Sequence, residues 1–242
     1  LVLVDADLGL LVILSISSLA SYGLAYAGCS SGILYALLCG IRSSAQLVSY
    51  EIVLGLSVLS VILMTGTLNL SDIVVQQSET WIWGVLPAWG IFVQPVTFGI
   101  FLIAAFAETN RAPFDLSEAE QELVGGYHTE YGGIRFGWFM FGEYAALFTM
   151  CSLITVLFFG GWTLPGVVYP EGIMGALMSA NVHVLKTMIL VFFFMWVRWT
   201  MPRLRWDQLM KFGWNTLIPI GIANIFLTIA IMEWFWNGGG LK

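Results

Sequence analysis

The sequence predicts an all-α integral membrane protein: one membrane domain over residues 1–242, with six transmembrane helices and a structured acidic loop between the third and fourth. Three observations predict it. Of 242 residues, 59% are hydrophobic and only 10% are charged, against about 25% charged in a soluble domain. Mean hydropathy is +0.87, and too few charges exist to cover a soluble surface. Finally, six windows approach the roughly 20 apolar residues a bilayer-crossing helix needs.

In chain order, the windows are 8–28, 45–66, 88–107, 136–160, 179–197 and 212–232. The first, third and last carry no charge; the second holds Glu51, the fourth Glu143 and the fifth Lys186. Pro95 and Pro219 fall inside windows and predict kinks, which membrane helices tolerate. Trp81, Trp83, Trp89, Trp234 and Trp236 cluster at window ends, as interfacial anchors do. The chain begins at Leu1, with Asp5 and Asp7 and no positive charge nearby, unlike a signal peptide. Its start is expected to be an internal point of a longer design: a fragment, a processed chain or a split gene.

Arg42 lies in the first connection (29–44), Arg111 and Arg135 in the third (108–135), and Arg198, Arg203, Arg205 and Lys211 in the fifth (198–211). The even connections and both termini hold only Lys242. The positive-inside rule therefore puts the odd connections in the cytoplasm or matrix and both termini outside. A net charge of −6 argues against a nucleic-acid partner. Cys29, Cys39 and Cys151 are widely spaced with no CxxC pair, so no zinc or Cys-ligated iron–sulfur site is expected from this chain alone.

The third connection carries the chemistry. It reads ETNRAPFDLSEAEQELVGGYHTEYGGIR and holds six of the fifteen acids: Glu108, Asp115, Glu118, Glu120, Glu122 and Glu130. Pro113 biases Ala112 to extended backbone. Ser117 and Glu120 form a capping box, predicting a short helix from Glu118, and Gly125–Gly126 should end it. A solvated acidic loop is one reading. The interleaved Phe114, Leu116, Leu123, Val124 and Tyr127 favour a cavity lining or a docking segment instead.

Each ionisable group inside a window is costly in lipid and so a functional candidate. Glu51 follows Gln46, Ser49 and Tyr50; Glu143 precedes Tyr144; Lys186 lies near Asn181 and His183. The alternatives are static interhelical bonds or a proton relay. In the fifth connection, Arg and Trp alternate, either as a positive-inside anchor or with Arg198 paired to acids of the third connection.

Several of these residues together resemble one family. Ala107–Leu116, Glu118–Glu120, Glu122–Val124, Gly126–Tyr127, Glu130–Tyr131 and Glu143–Tyr144 are similar to the signature of the H subunit of NADH–quinone oxidoreductase, which is subunit 1 of mitochondrial complex I. Ser17–Leu19, Arg42–Gln46, Ser49–Glu51, Trp196–Arg198 and Pro202–Met210 extend the likeness over nearly the whole chain. The family has eight membrane helices. Its third corresponds to the 8–28 window, so two helices and an amphipathic segment are missing here, and a separate chain is expected to supply them. The resemblance implies a membrane subunit that walls the quinone chamber between a hydrophilic redox arm and a proton-pumping arm. It implies no cofactor in this chain, quinone as substrate, and flavin and iron–sulfur clusters in partner subunits. Chamber and arm-docking residues would be Arg42, Arg111, Phe114, Asp115, Glu118, Glu120, Glu122, Glu130, Arg198 and Arg203. The relay residues would be Glu51, Glu108 and Glu143. The isolated chain is not expected to catalyse anything.

Rival readings are the homologous membrane subunit of a hydrogenase or other donor-fed complex, and a secondary ion transporter, which lacks support from any internal repeat. The expected location is a multi-pass place in an energy-coupling membrane among lipids. The mitochondrial inner membrane is favoured over the bacterial cytoplasmic membrane because genes of this kind are sometimes split.

Overall fold

The computed structural model describes residues 6–79, 81–82, 86–111, 113–115, 130–167, 169–170, 172–202 and 204–238. The chain is built from helices. Among the described residues, five helices are long and apolar enough to cross a membrane: α1 (Gly9–Ser30), α2 (Leu34–Thr65), α6 (Ile134–Phe158), α7 (Ile173–Thr200) and the run Trp206–Glu233. Between them lie α3 (Leu70–Glu79), a two-residue antiparallel pair β1 (Trp81–Ile82) and β2 (Leu86–Pro87), α4 (Gly90–Val93) and α5 (Pro95–Glu108). The last long run divides into α8 (Trp206–Phe212), a π turn (Gly213–Leu217) and α9 (Ile218–Gly238).

The third expected span, 88–107, is corrected. It is not one bilayer-length helix but the single turn α4 followed by the 14-residue α5. Proline causes the break. Pro95 has no N–H to give, so it starts a new helix at its first position, and Gln94 before it leaves helical backbone (φ −132, ψ 66). The buried Gln94 amide donates to the Ser60 carbonyl at 3.2 Å and anchors the break on α2. Pro219 acts more gently. Directly before it the helix widens into the π turn, with the Ile218 N–H reaching back five residues to Gly213.

The second span also begins earlier than hydropathy suggests. α2 starts at Leu34, just after a left-handed Gly32, so Arg42 sits on a helix and not in a connection. A left-handed Gly66 closes it, giving its N–H to the Ile62 carbonyl at 2.7 Å. α2 is the hub of the packing, touching α1, α5 and α9. It meets α1 backbone to backbone: a Cβ on Gly40 would stand 2.9 Å from the Leu24 carbonyl oxygen and 3.1 Å from Gly28 Cα. One polar cluster ties α2, α5 and α9 together. Asn224 donates to the hydroxyls of Thr97 (2.8 Å) and Ser60 (3.3 Å), all three side chains being buried. Such bonds substitute for the missing hydrophobic drive between helices in lipid.

The end of α6 is capped from two sides. Gln77 of α3 donates to the Leu157 carbonyl at 2.8 Å and accepts from the Gly160 N–H at 2.9 Å. Lys186 of α7 donates to the carbonyls of Phe159 (2.7 Å), Gly161 (3.1 Å) and Thr163 (2.6 Å). One α7 turn away, His183 Nε2 and the Ser152 hydroxyl of α6 lie 2.9 Å apart. Lys186 and His183 thus both hydrogen-bond from α7 to α6 and the turn after it.

Candidate functional site

The acidic connection starts where α5 stops, and the stop follows from local sequence. Asn110 takes left-handed backbone (φ 48), which asparagine tolerates better than other side-chain-bearing residues. Its N–H reaches the Ala107 carbonyl (3.3 Å) and the Arg111 N–H reaches Phe106 (3.4 Å). This is the paired bonding of a Schellman C-cap, with asparagine where glycine is usual. The buried Thr109 hydroxyl returns to the Ala105 carbonyl at 3.0 Å.

This cap turns Arg111 inward. Its side chain is 3% exposed. The guanidinium lies over the Tyr144 ring of α6, 4.5 Å from the centroid, and Nη1 is 4.0 Å from the Met195 sulfur of α7. Beside it, Phe106 stacks on Phe194 of α7 at 3.9 Å. The foot of α5 is thus pinned to both α6 and α7.

α2 forms the opposite wall. Gln46, fully buried, donates to the Phe114 carbonyl (2.9 Å) and approaches that of Ala107 (3.4 Å). One turn on, Tyr50 meets the Phe114 ring with centroids 5.6 Å apart, and its hydroxyl donates to the Leu209 carbonyl of α8 at 3.0 Å. Half-buried Glu51 follows directly. Arg42 lies against Trp206, 5.7 Å from the ring centroid. The Leu204 N–H donates to the Pro113 carbonyl at 3.1 Å, joining the segment before α8 to the acidic connection.

Of the expected residues, Arg111, Phe114 and Asp115 are buried in one short stretch after Glu108, with Phe114 against α2 one turn before Glu51, whereas Arg42 lies against Trp206. Asp115 is buried; Glu143 is half-buried on α6, one residue before Tyr144. Glu130 and Arg198 are exposed. Glu118, Glu120, Glu122 and Arg203 lie outside the described residues, as does the short helix expected from Glu118. Sequence reasoning missed Met195, whose thioether carries no polar signal. It also missed Asn224, although an amide inside a charge-free window is a usable sign.

Among the described residues, several buried polar atoms here find no hydrogen-bond partner: Glu108 Oε2, Asn110 Oδ1, Arg111 Nε and Nη2, and Ser43 Oγ. Such atoms in close sequence point to water or a ligand. Acids, an aromatic-backed guanidinium and apolar rings together suit a ligand with both a polar head and a flat ring. Among the described residues, no group of three or more His, Cys, Asp or Glu is placed to hold a metal ion.

Comparison with known proteins bears on this site. A profile of the family described as NADH dehydrogenase matches residues 2–229. The H subunit of NADH-quinone oxidoreductase from Bacillus cytotoxicus is 50% identical over 232 residues, covering 96% of this chain and 66% of its own length. The protein named as the eighth subunit of the same oxidoreductase in Rhodothermus marinus is 48% identical over 235 residues, covering 93% and 68%. The H subunit from Protochlamydia amoebophila is 50% identical over 224 residues, covering 93% and 63%. The chain therefore spans about two thirds of the length of these relatives.

Proposed function

The chain belongs to the NADH dehydrogenase family, and from that membership we propose that it is a membrane subunit of a proton-translocating NADH:quinone oxidoreductase. In this reading it forms part of the quinone chamber and links quinone reduction to proton pumping. The observation that supports it is the assembly at the foot of α5. There Phe114 meets Gln46 and Tyr50 of α2, the buried Arg111 and Asp115 lie in the same short stretch, and several buried polar atoms lack a partner among the described residues.

The chemistry follows from the residues. Phe114 and Tyr50, buried against each other, would back the chamber wall. The buried Arg111 offers N–H donors to an oxygen whose negative charge grows on reduction. Quinol formation consumes two protons, so charge and proton demand change together in the chamber. Glu108, Glu51 and Glu143 would pass that change along as coupled carboxylates. Glu118, Glu120, Glu122, Glu130, Arg42, Arg198 and Arg203 would complete the chamber rim and the docking face for the hydrophilic arm. Flavin and iron–sulfur clusters would belong to partner subunits.

α4 and α5 together would make a sixth, interrupted crossing. The Arg-rich connections would face the cytoplasm or matrix. The chain sits in an energy-coupling membrane, and the relatives above are bacterial.

The deciding experiment is Glu51→Gln in the assembly purified in mild detergent and returned to liposomes. NADH oxidation by artificial acceptors should be unchanged, while protons pumped per NADH should fall by about tenfold or more, in line with loss of a positioned acid–base group. Full pumping at normal turnover would make Glu51 a structural carboxylate. Purification with hydrogenase subunits in place of an NADH-oxidising arm would overturn the donor assignment.

A further inference from the structure

We propose that the end of α6 is a cation site built from backbone carbonyls, and that Lys186 fills it as a tethered cation. The carbonyl oxygens of Phe159, Gly161 and Thr163 converge on one point, the Lys186 nitrogen, at 2.6–3.1 Å. An ammonium has three N–H donors, and here three acceptors meet it. Gly160 (φ +68) and Gly161 (φ +52) make the convergence possible, because their left-handed backbone folds the chain over the helix end.

Among the described residues, the surroundings favour positive charge through dipoles and an aromatic face. The end of α6 presents the negative end of its dipole, and the carbonyls just beyond it turn to the Lys186 nitrogen. The face of Trp89 closes another side, its centroid 4.9 Å from the nitrogen. Gln77 meets the neighbouring groups, donating to Leu157 and accepting from Gly160, and leaves the cage to the cation. Among the described residues, no carboxylate hydrogen-bonds to Lys186. The donor set is neutral and all-oxygen, backed by an aromatic face: the chemistry that binds a primary ammonium or a large monovalent cation.

The cage explains why an irregular segment can follow α6 beside α7, whose outer face carries exposed apolar side chains. Backbone outside a helix is tolerated at membrane depth only when its polar groups are satisfied internally. A charge in lipid is costly on its own; here the charge and the carbonyls satisfy one another. Lys186 is thereby a binding element, not a proton carrier.

Chemical rescue tests this. Lys186→Ala removes the tether and leaves the cage open. The full chain, in the assembly it purifies with, is unfolded thermally in mild detergent with tryptophan emission as the readout. The midpoint should fall by about 10 °C, as expected for a buried charge removed from its partners. Methylammonium at millimolar concentration should restore most of the loss, ammonium or potassium part of it, and tetramethylammonium, which has no N–H and is too large, none. The parent should respond to none of them. An unchanged midpoint, or a fall that no cation reverses, overturns the proposal and leaves Lys186 as packing. Should Lys186→Ala not accumulate, Lys186→Gln decides. Its neutral amide keeps two donors, so parental stability would show that no cation is needed, whereas a lowered midpoint supports the cage. The readout is stability and not turnover, so the outcome is independent of the functional reading.

Discussion

Replacing Gln46 by leucine should release the entrance of the acidic connection while leaving the helices in place. The side chain is fully buried between α2 and the foot of α5, so leucine fills a similar volume. What is lost is polar. The bond to the Phe114 carbonyl, at 2.9 Å, is the strong one; the 3.4 Å approach to Ala107 adds little, and that carbonyl keeps the Asn110 N–H. Stranding one buried acceptor costs about 1–3 kcal/mol. The local opening equilibrium should therefore rise by about 5- to 150-fold. Hydrogen exchange reads this directly: the amides of Asn110, Arg111 and Phe114 should exchange faster by that factor, while those of α2 stay protected. Quinone reductase activity should fall, and NADH oxidation by artificial acceptors should not. Gln76→Leu, which removes an exposed bond to the Thr65 carbonyl, is the control. If the 110–114 amides exchange as in the parent, Gln46 does not hold this segment and the described geometry of the site is wrong.

Gly40→Ala should loosen α1 from α2. The new methyl would press on the Leu24 carbonyl at 2.9 Å, costing about 1–3 kcal/mol of overpacking against a helix-propensity gain of about 1 kcal/mol. Gly55→Ala, with open space around it, should be neutral or stabilising, and thermal unfolding of the two side by side separates the effects. Arg111→Lys keeps the charge but loses the planar face over Tyr144. Quinone reductase activity should drop while the assembly stays intact; unchanged activity would remove Arg111 from the chamber wall.

Much of this site was legible because its parts are contiguous in sequence. Residues 107–116 hold the cap, the buried arginine and the ring of Phe114 in one stretch, and Gln46, Tyr50 and Glu51 fall on neighbouring turns of one helix. The fold class followed from composition. The errors arose where hydropathy was asked to mark helix ends. Arg42 looked like a loop residue, yet its guanidinium reaches Trp206 from within α2, and the apolar stem of arginine sits comfortably on a helix face. The 88–107 window read as continuous because hydropathy averages across Pro95, whereas the missing N–H breaks the ladder at a single residue. Lys186 was visible as an anomaly, but its partners were not. They are carbonyls, which every residue possesses and no sequence pattern distinguishes. Met195 and Asn224 needed the register between helices, which apolar periodicity does not supply.

The shortness of α5 has an electrical consequence. Fourteen residues rise about 21 Å, whereas the hydrocarbon layer is about 30 Å thick. Where water or polar groups reach both ends of that helix, the membrane voltage falls over the shorter distance, and the local field is about 1.4 times that across plain bilayer. A whole elementary charge moved through the full drop still exchanges about 2.3 kcal/mol per 100 mV. Each ångström travelled beside α5, however, takes a larger share. Glu108 stands at one end of this compressed stretch. Were α4 and α5 to cross the membrane together, as proposed above, a proton arriving at or leaving Glu108 would feel the energised state of the membrane more steeply per ångström than one moving beside the longer helices.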